Sequence, residues 1–172
     1  MNLYLRLLYT WIRACFKSRI QIGDVIELAL TVLPNDLDFN GHMNNGRYMT
    51  IVDLGLIEYM TRCGFLRQAL KRGWRPVLGG AMIAFRRGLK PWRSYQLRFS
   101  VVSWAGNWSY MRFEFVHRGE VMAVGYAKGG ILSRDGLIPC AKTFAAIEEH
   151  RLSPTPSMAL QAWIDADALM RA

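Results

Sequence analysis

Residues 34–59 read PNDLDFNGHMNNGRYMTIVDLGLIEY, a polar loop that runs directly into a helical pattern. Apolar or small residues recur at helical spacing over three turns, at Tyr48, Ile51, Val52, Gly55, Leu56 and Tyr59. Two tyrosines and a glycine on one face predict a helix that a sheet wraps closely. The helix is expected to end near Cys63–Gly64, because glycine readily takes the left-handed conformation of a C-terminal cap.

Strand patterns flank this loop and helix. An apolar strand is expected before the loop at 25–33, and period-two alternation or apolar content predicts further strands at 76–86, 95–101, 110–115 and 120–133. The order is therefore one strand, one long helix, then four long antiparallel strands joined by hairpins. This order predicts an α+β fold in which a curved antiparallel sheet surrounds one buried helix. Residues 143–150 and 158–172 are expected to add short helices.

The first twenty residues, MNLYLRLLYTWIRACFKSRI, predict an amphipathic helix. Their polar residues form one narrow stripe, and apolar side chains cover the rest, the stripe being Asn2, Arg6, Thr10, Arg13 and Lys17. Three interpretations stay open: a helix docked on its own domain or a partner subunit, a helix in the surface of a bilayer, and a targeting segment. The sequence has no uninterrupted run of about 18 apolar residues, so no transmembrane span is predicted. The expected organisation is helix 1–20, one domain at 21–150, and a tail or short helix at 151–172.

The charge of the chain is unevenly distributed. The 172 residues carry a formal charge of +9, and the 52% apolar content excludes intrinsic disorder. Residues 59–113 contain no acidic residue and eleven basic ones, namely Arg62, Arg67, Lys71, Arg72, Arg75, Arg86, Arg87, Lys90, Arg93, Arg98 and Arg112. Such a surface would attract a phosphorylated or acidic acyl carrier, an anionic membrane or nucleic acid. Nucleic acid ranks last, because no nucleic-acid-binding module accompanies the charge. A solvated basic face with no ligand is the plain alternative.

Cysteine and histidine are sparse. Cys15, Cys63 and Cys140 are far apart and odd in number, which favours a reducing compartment and a cytoplasmic location. The three histidines do not complete a zinc-binding spacing, so no metal site is predicted. No local sequence signature indicates a catalytic cysteine–histidine pair.

Chemically capable side chains are concentrated in the stretch Asp38–Tyr48, just before the start of the predicted helix. A helix N-terminus presents unpaired N–H groups and a partial positive charge, which can polarise a carbonyl oxygen. A carboxylate held beside it can attack that carbonyl or activate water. Asp and Asn are also preferred helix caps and turn formers, so a purely structural capping loop is the alternative.

The sequence DLDFNGHMNNGRYM resembles the signature of hotdog-fold acyl thioesterases of the hydroxybenzoyl-CoA thioesterase type. The same loop is similar to that of plant acyl-ACP thioesterases, and the whole chain, with its apolar leader, is most similar to the group around thioesterase superfamily member six. The resemblance implies a hotdog fold over roughly residues 20–145 and hydrolysis of an acyl thioester carried by coenzyme A or acyl carrier protein. It also implies a homodimer or homotetramer and no cofactor.

The resemblance assigns roles to individual residues of the loop. Asp38 matches the carboxylate that acts as nucleophile or general base, and Asn40 and His42 match the polar partners that orient water or the thioester. The backbone around Asn44, Asn45 and Gly46 would polarise the thioester carbonyl. Tyr48 is expected to pack the start of the helix against the sheet. Arg86 and Arg87 are expected to contribute to substrate binding.

The chain departs from the plant pattern at one position. The plant enzymes place an acidic residue just after an Arg-Arg pair on the next strand, whereas here Arg86-Arg87 is followed by Gly88. If a second carboxylate is required, Asp38 must work with His42 alone, or turnover is weak or lost. The alternative function is therefore a non-catalytic binder of acyl groups at an anionic membrane surface, associated through residues 1–20.

Overall fold

In the computed structural model, which describes residues 3–170, the helical pattern of the sequence forms one long helix packed on an antiparallel sheet. The helices are α1 (Leu3–Cys15), α2 (Asn45–Arg62), α3 (Phe65–Arg72), α4 (Cys140–Ala145) and α5 (Met158–Leu169). The strands are β1 (Ile26–Thr31), β2 (Arg75–Phe85), β3 (Ser94–Ala105), β4 (Trp108–His117), β5 (Glu120–Ser133) and β6 (Gly136–Ile138). The predicted α+β class and hotdog arrangement are confirmed.

The order of the strands in the sheet corrects one prediction. The order is β1-β3-β4-β5-β2, with β6 pairing with β5. Strands β3, β4 and β5 are joined by hairpins as expected, but β2 pairs with β5 instead of β3. Local alternation identifies strands and not their partners, so the long-range return of β2 to the far edge was not visible in the pattern. As a result β1 and β2 form the two edges of the sheet.

Helix α2 crosses the sheet at van der Waals distance. A Cβ atom on Gly55 would lie 3.0 Å from Leu97 Cδ2 and 3.2 Å from Phe99 Cδ2, so a side chain at this position would push both neighbours out of place. The helix ends at Arg62, and Gly64 follows with a φ of 81°, as the sequence predicted. Helix α3 was not expected, because a segment of only eight residues with three basic side chains gives little helical pattern.

The chain termini pack on the domain in different ways. Helix α1 is shorter than the expected 1–20, since it ends at Cys15, and Asn2 of the predicted polar stripe lies outside the described residues. Helix α5 covers the sheet on β4 and β5, where Leu160 and Trp163 meet Tyr110 and Tyr126. Between residues 3 and 170, no helix combines the length and apolarity needed to cross a membrane.

Candidate functional site

The site loop, residues 36–46, folds around the carboxylate of Asp38. Asp38 Oδ1 accepts hydrogen bonds from the backbone N–H groups of Asn40 at 2.9 Å and His42 at 3.3 Å. The backbone N–H of Asp38 donates to the carbonyl of His42 at 2.8 Å, which closes the turn. Both side-chain bonds use Oδ1, so Oδ2 is the oxygen that this turn leaves for a substrate or water. The half-buried carboxylate is thus positioned by its own loop.

The N-terminus of α2 is capped from within the loop. Asn44 Oδ1 accepts from the N–H of Gly46 at 2.9 Å, and the N–H of Asn44 donates to the carbonyl of Asp36 at 2.8 Å. Two of the three N–H groups that the sequence assigned to carbonyl binding are therefore already used. The N–H of Asn45, the first residue of the helix, has no acceptor among residues 3–170 and is the donor left for an oxyanion.

The ring of His42 packs directly on Gly88. A Cβ atom built on Gly88 would come within 2.8 Å of His42 Cδ2, a distance that real Cβ contacts essentially never show. The next residues of the two segments are hydrogen-bonded to each other, because the N–H of Met43 donates to the carbonyl of Leu89 at 2.8 Å. The position where the plant enzymes carry a second acid is here the backbone on which the imidazole rests. The ring of His42 therefore occupies the space that a side chain at position 88 would need.

Tyr48 lies beneath the loop as a packing residue, as the sequence predicted. Its buried ring makes edge contacts with Phe85 and Phe115, with centroids 5.0 Å and 4.7 Å away. Burial raises the pKa of the Tyr48 phenol, and the negative charge of Asp38 contributes in the same direction. The hydroxyl is therefore neutral at physiological pH. Asn40, in contrast, is exposed and touches Asp38 only through its backbone N–H.

A basic cavity of about 400 Å³ lies beside Gly88 and Leu89. Its charged lining comes from the loop between β2 and β3, the β4–β5 turn and the start of β5, namely Arg87, Lys90, Arg93, Arg118 and Glu120. Arg87 is paired with Glu120 at 2.6 Å. The structure thus brings Arg87 to a cavity next to the site loop, whereas Arg86 is exposed and is not part of its lining. Several cations at one opening form a site that attracts phosphate groups.

An apolar cavity of about 500 Å³ lies along the second half of α2. Leu56, Ile57 and Met60 of the helix face residues of α3, α4, β2 and β5 across it. Asp53 is the acidic residue in its lining, and this side chain is also solvent-exposed. Partial burial there raises the pKa of Asp53. The sequence did not single out Asp53, because an acid on a helix reads as an ordinary surface residue.

Asp36 is the other residue that the sequence did not identify. It is buried, and its carboxylate bonds Arg6 of α1 at 2.8 Å, Arg47 at 3.3 Å and the N–H of Leu33 at 3.0 Å. Arg6 also donates to the carbonyl of Thr31 at 3.2 Å. The ion pair joins residues thirty positions apart, which no local spacing could indicate. It connects α1 rigidly to the beginning of the site loop.

The cysteines are poorly suited to nucleophilic chemistry. Burial raises the pKa of the Cys63 thiol and of the Cys140 thiol to about 11 in each case. Both are therefore protonated at neutral pH, and the thiolate is the reactive form. Cys15 is exposed on α1, away from the site loop.

Comparison with known proteins agrees with the fold and identifies the family. The family model of the thioesterase-like superfamily matches residues 32–164. Protein THEM6 of Danio rerio is 32% identical over 138 residues, which are 78% of this chain and 65% of that protein, so the chain spans less than two thirds of that relative's length.

Two solved structures share the architecture. A gentisyl-coenzyme A thioesterase is 17% identical with a TM-score of 0.64, covering 70% of this chain and 99% of that one. The DHNA-CoA thioesterase of Staphylococcus aureus is 15% identical with a TM-score of 0.64, covering 88% of this chain and 95% of that one. At these identities the likeness establishes the hotdog fold. Because the family model covers most of the chain, including the whole site loop, the chain belongs to the thioesterase-like superfamily.

Proposed function

We propose that the protein hydrolyses an acyl-CoA thioester and that Asp38 is the carboxylate that carries the reaction. One observation supports this assignment above the others. The Asp38 carboxylate is held by two backbone N–H groups directly before the N-terminus of α2, in a chain of the thioesterase-like superfamily. A carboxylate beside a helix N-terminus combines a base or nucleophile with a donor for the developing oxyanion.

The reaction follows one of two balanced routes at this loop. As a general base, Asp38 takes a proton from water while the water oxygen bonds to the thioester carbonyl carbon. As a nucleophile, Asp38 itself bonds to that carbon, and water later hydrolyses the anhydride. In both routes the C–S bond breaks, water supplies the hydroxyl group of the carboxylic acid and the proton that the leaving thiolate takes up, and Asp38 is regenerated as the carboxylate. The products are a carboxylic acid and the free thiol. His42 and Asn40 orient the water or thioester, and the N–H of Asn45 receives the oxyanion.

The apolar cavity would hold the acyl chain. Asp53 is the residue of α2 nearest the helix N-terminus that lines this cavity, and it lies eight residues beyond Asn45, so the cavity begins about 12 Å from the start of α2 along the helix axis. A thioester placed at the site loop would send its chain along the helix before it reaches the cavity. This geometry favours long acyl chains over short ones.

The basic cavity favours coenzyme A as the carrier. Lys90, Arg93 and Arg118 line it, and it lies next to the backbone on which His42 rests. Coenzyme A carries several phosphate charges, and it is the carrier named for both structural neighbours. An acyl carrier protein would bring acidic side chains to the same face, and a comparison of the two carriers distinguishes these cases.

Two copies are proposed to pair through strand β2. This eleven-residue strand is an edge of the sheet, and its exposed side chains include Leu78, Met82 and Phe85. A long, exposed, apolar edge strand offers its outer backbone groups as a template for pairing with another chain. Pairing β2 with its copy would continue the sheet through a homodimer, from which a homotetramer can form.

The experiment that tests this function is a thiol-release assay with acyl-CoAs of short, long and aromatic acyl groups, together with acyl-ACP. The account expects turnover of at least one acyl-CoA, with preference for long chains. No thiol release from any of these substrates would refute hydrolysis. If the protein preferred short chains and Asp53→Asn lost activity, the reacting carboxylate would be Asp53 and not Asp38.

A second candidate function is a non-catalytic binder of acyl groups at an anionic membrane surface, reached through the first helix. The observations that favour it are Gly88, where the plant enzymes carry an acid, and the outward apolar side of α1. It predicts that acyl-CoA binds without release of thiol. In either case a cytoplasmic location suits the three unpaired cysteines.

A further inference from the structure

Helix α1 packs on the domain with its polar side inward. Arg6 and Thr10 are only 5% and 7% exposed, and Ala14 is buried beside them. The outer face of α1 consists of seven large apolar side chains that are exposed to solvent, namely Tyr4, Leu5, Leu8, Tyr9, Trp11, Ile12 and Phe16. An amphipathic helix on a domain surface normally shows the opposite arrangement, with its apolar side facing the core.

Ion pairs fix this orientation. Arg6 binds the buried carboxylate of Asp36 at 2.8 Å, and just beyond the helix Lys17 binds the buried carboxylate of Glu58 at 2.7 Å. Turning the helix to bury its outer face would break the Arg6 pair and so remove the closer of the two arginines that contact the buried Asp36 carboxylate, which is unfavourable. The domain therefore holds the outer face of α1 toward the solvent.

The outer face of α1 has the composition of a bilayer-surface helix. Exposed apolar patches of this extent mark interaction sites in soluble domains. This patch combines aliphatic side chains with tyrosine and tryptophan, whose amphipathic rings favour the headgroup region of a membrane. Exposed Arg13, which lies over the Tyr9 ring at 5.5 Å, and exposed Arg19 add positive charge. The sequence contains no acidic residue before Asp24, so the charge complements anionic headgroups.

We propose that α1 lies in the surface of an anionic lipid bilayer, with its outer face in the headgroup and acyl boundary, and that it holds the site loop at that surface. The second part follows from the Arg6–Asp36 pair, because Asp36 begins the site loop and its carbonyl accepts from Asn44 at the start of α2. That part rests on the proposed function. The natural substrate would then be a long-chain acyl-CoA, an amphiphile that partitions into the same surface.

The test uses the full chain with large unilamellar vesicles of phosphatidylcholine alone or of an equimolar mixture with phosphatidylglycerol. The protein is expected to co-sediment with the anionic vesicles, and this binding is expected to weaken as the salt concentration increases.

Tyr9→Gln/Ile12→Gln is expected to lower the binding constant at least about tenfold, since two exposed apolar side chains no longer enter the bilayer. Arg13→Gln/Arg19→Gln is expected to remove most of the salt dependence. The matched control, Leu152→Gln/Met158→Gln, exchanges two highly exposed apolar residues elsewhere and should bind like wild type.

Several results would overturn the proposal. They are absence of binding to anionic vesicles at low salt, equal binding to neutral vesicles, and unchanged binding of the Tyr9→Gln/Ile12→Gln variant. A change in oligomeric state of that variant, with vesicle binding retained, would assign the outer face to a protein interface instead. Folding of each variant is checked by circular dichroism, which should match wild type because every changed side chain is exposed.

Thiol release is measured separately, with and without vesicles. Vesicles are expected to accelerate release from a long-chain acyl-CoA in the wild type and not in Tyr9→Gln/Ile12→Gln. Vesicle binding without any thiol release would leave the docking surface intact and refute the proposed function. Thiol release without vesicle binding would refute the docking surface alone.

Discussion

The imidazole of His42 lies so close to Gly88 that a Cβ atom on the glycine would come within 2.8 Å of its Cδ2 atom. The site loop and the loop after β2 are therefore fitted to each other at the position where an acid would stand in the plant enzymes. A side chain at 88 and the present position of His42 exclude each other.

This relationship predicts the outcome of adding a methyl group at Gly88. Gly88→Ala should lower the free energy of unfolding by about 1–3 kcal/mol, as expected for overpacking, and lower kcat because His42 shifts. In the background of His42→Ala the same change should cost little, since the ring that it meets is gone. A double-mutant cycle by urea unfolding measures the difference. Additive effects of the two substitutions would contradict the contact.

The Arg6–Asp36 pair predicts a strong effect of Arg6→Leu on stability. Asp36 would keep its longer contact with Arg47 at 3.3 Å and the hydrogen bond from the N–H of Leu33, but it would lose the close charge-assisted hydrogen bonds from Arg6, and the expected loss is about 2 kcal/mol. The matched control is Arg13→Leu on the exposed side of the same helix, where a change below about 0.5 kcal/mol is expected. Thermal or urea unfolding compares them, and equal losses would show that α1 is not held by this pair.

The exposed apolar side chains of the edge strand β2 predict that a charge introduced there separates the subunits. Leu78→Lys/Met82→Lys should convert a dimer into a folded monomer, because both side chains are exposed in the single chain and would oppose their copies across the edge. Sedimentation velocity measures the mass. Leu152→Lys/Met158→Lys is the charge-matched control. A wild-type monomer, or a variant that stays dimeric, would exclude this edge as the interface.

The basic cavity predicts a selective effect on binding of the carrier. Lys90→Gln/Arg93→Gln should raise KM for an acyl-CoA about tenfold at nearly unchanged kcat, since two cations that face the phosphates are lost. KM for the corresponding acyl-pantetheine, which lacks the nucleotide, should not change. Arg134→Gln/Lys142→Gln removes two exposed cations that do not line the cavity. An equal rise in KM for both substrates would assign the cavity another role.

Sequence patterns predicted the elements whose information is local. The alternation at 95–101 and the helical spacing from Tyr48 to Tyr59 arise because each strand or helix buries one face, and both elements stand where they were expected. The turn around Asp38 is local in the same way, since it is built from bonds between residues two to four positions apart, whereas the catalytic role of the site loop stays a prediction.

Long-range relationships could not be predicted in this way. The pairing of β2 with β5, the bond between Arg6 and Asp36 and the contact of His42 with Gly88 all join distant segments, and each depends on the finished fold. The amphipathicity of α1 was evident, but its orientation was not. A buried carboxylate decides which side of that helix faces inward, and only the fold shows that Asp36 is buried.

The most direct test of the central claim is the rate of thiol release from the best acyl-CoA substrate by wild type, Asp38→Asn and Asp53→Asn. The account predicts that Asp38→Asn lowers kcat at least about a hundredfold, the scale of losing a general base, while Asp53→Asn stays near wild type. Asp38→Asn keeps an oxygen that can accept the two loop N–H bonds, so the fold should be retained. An Asp38→Asn variant as active as wild type would contradict the claim that this carboxylate carries the reaction.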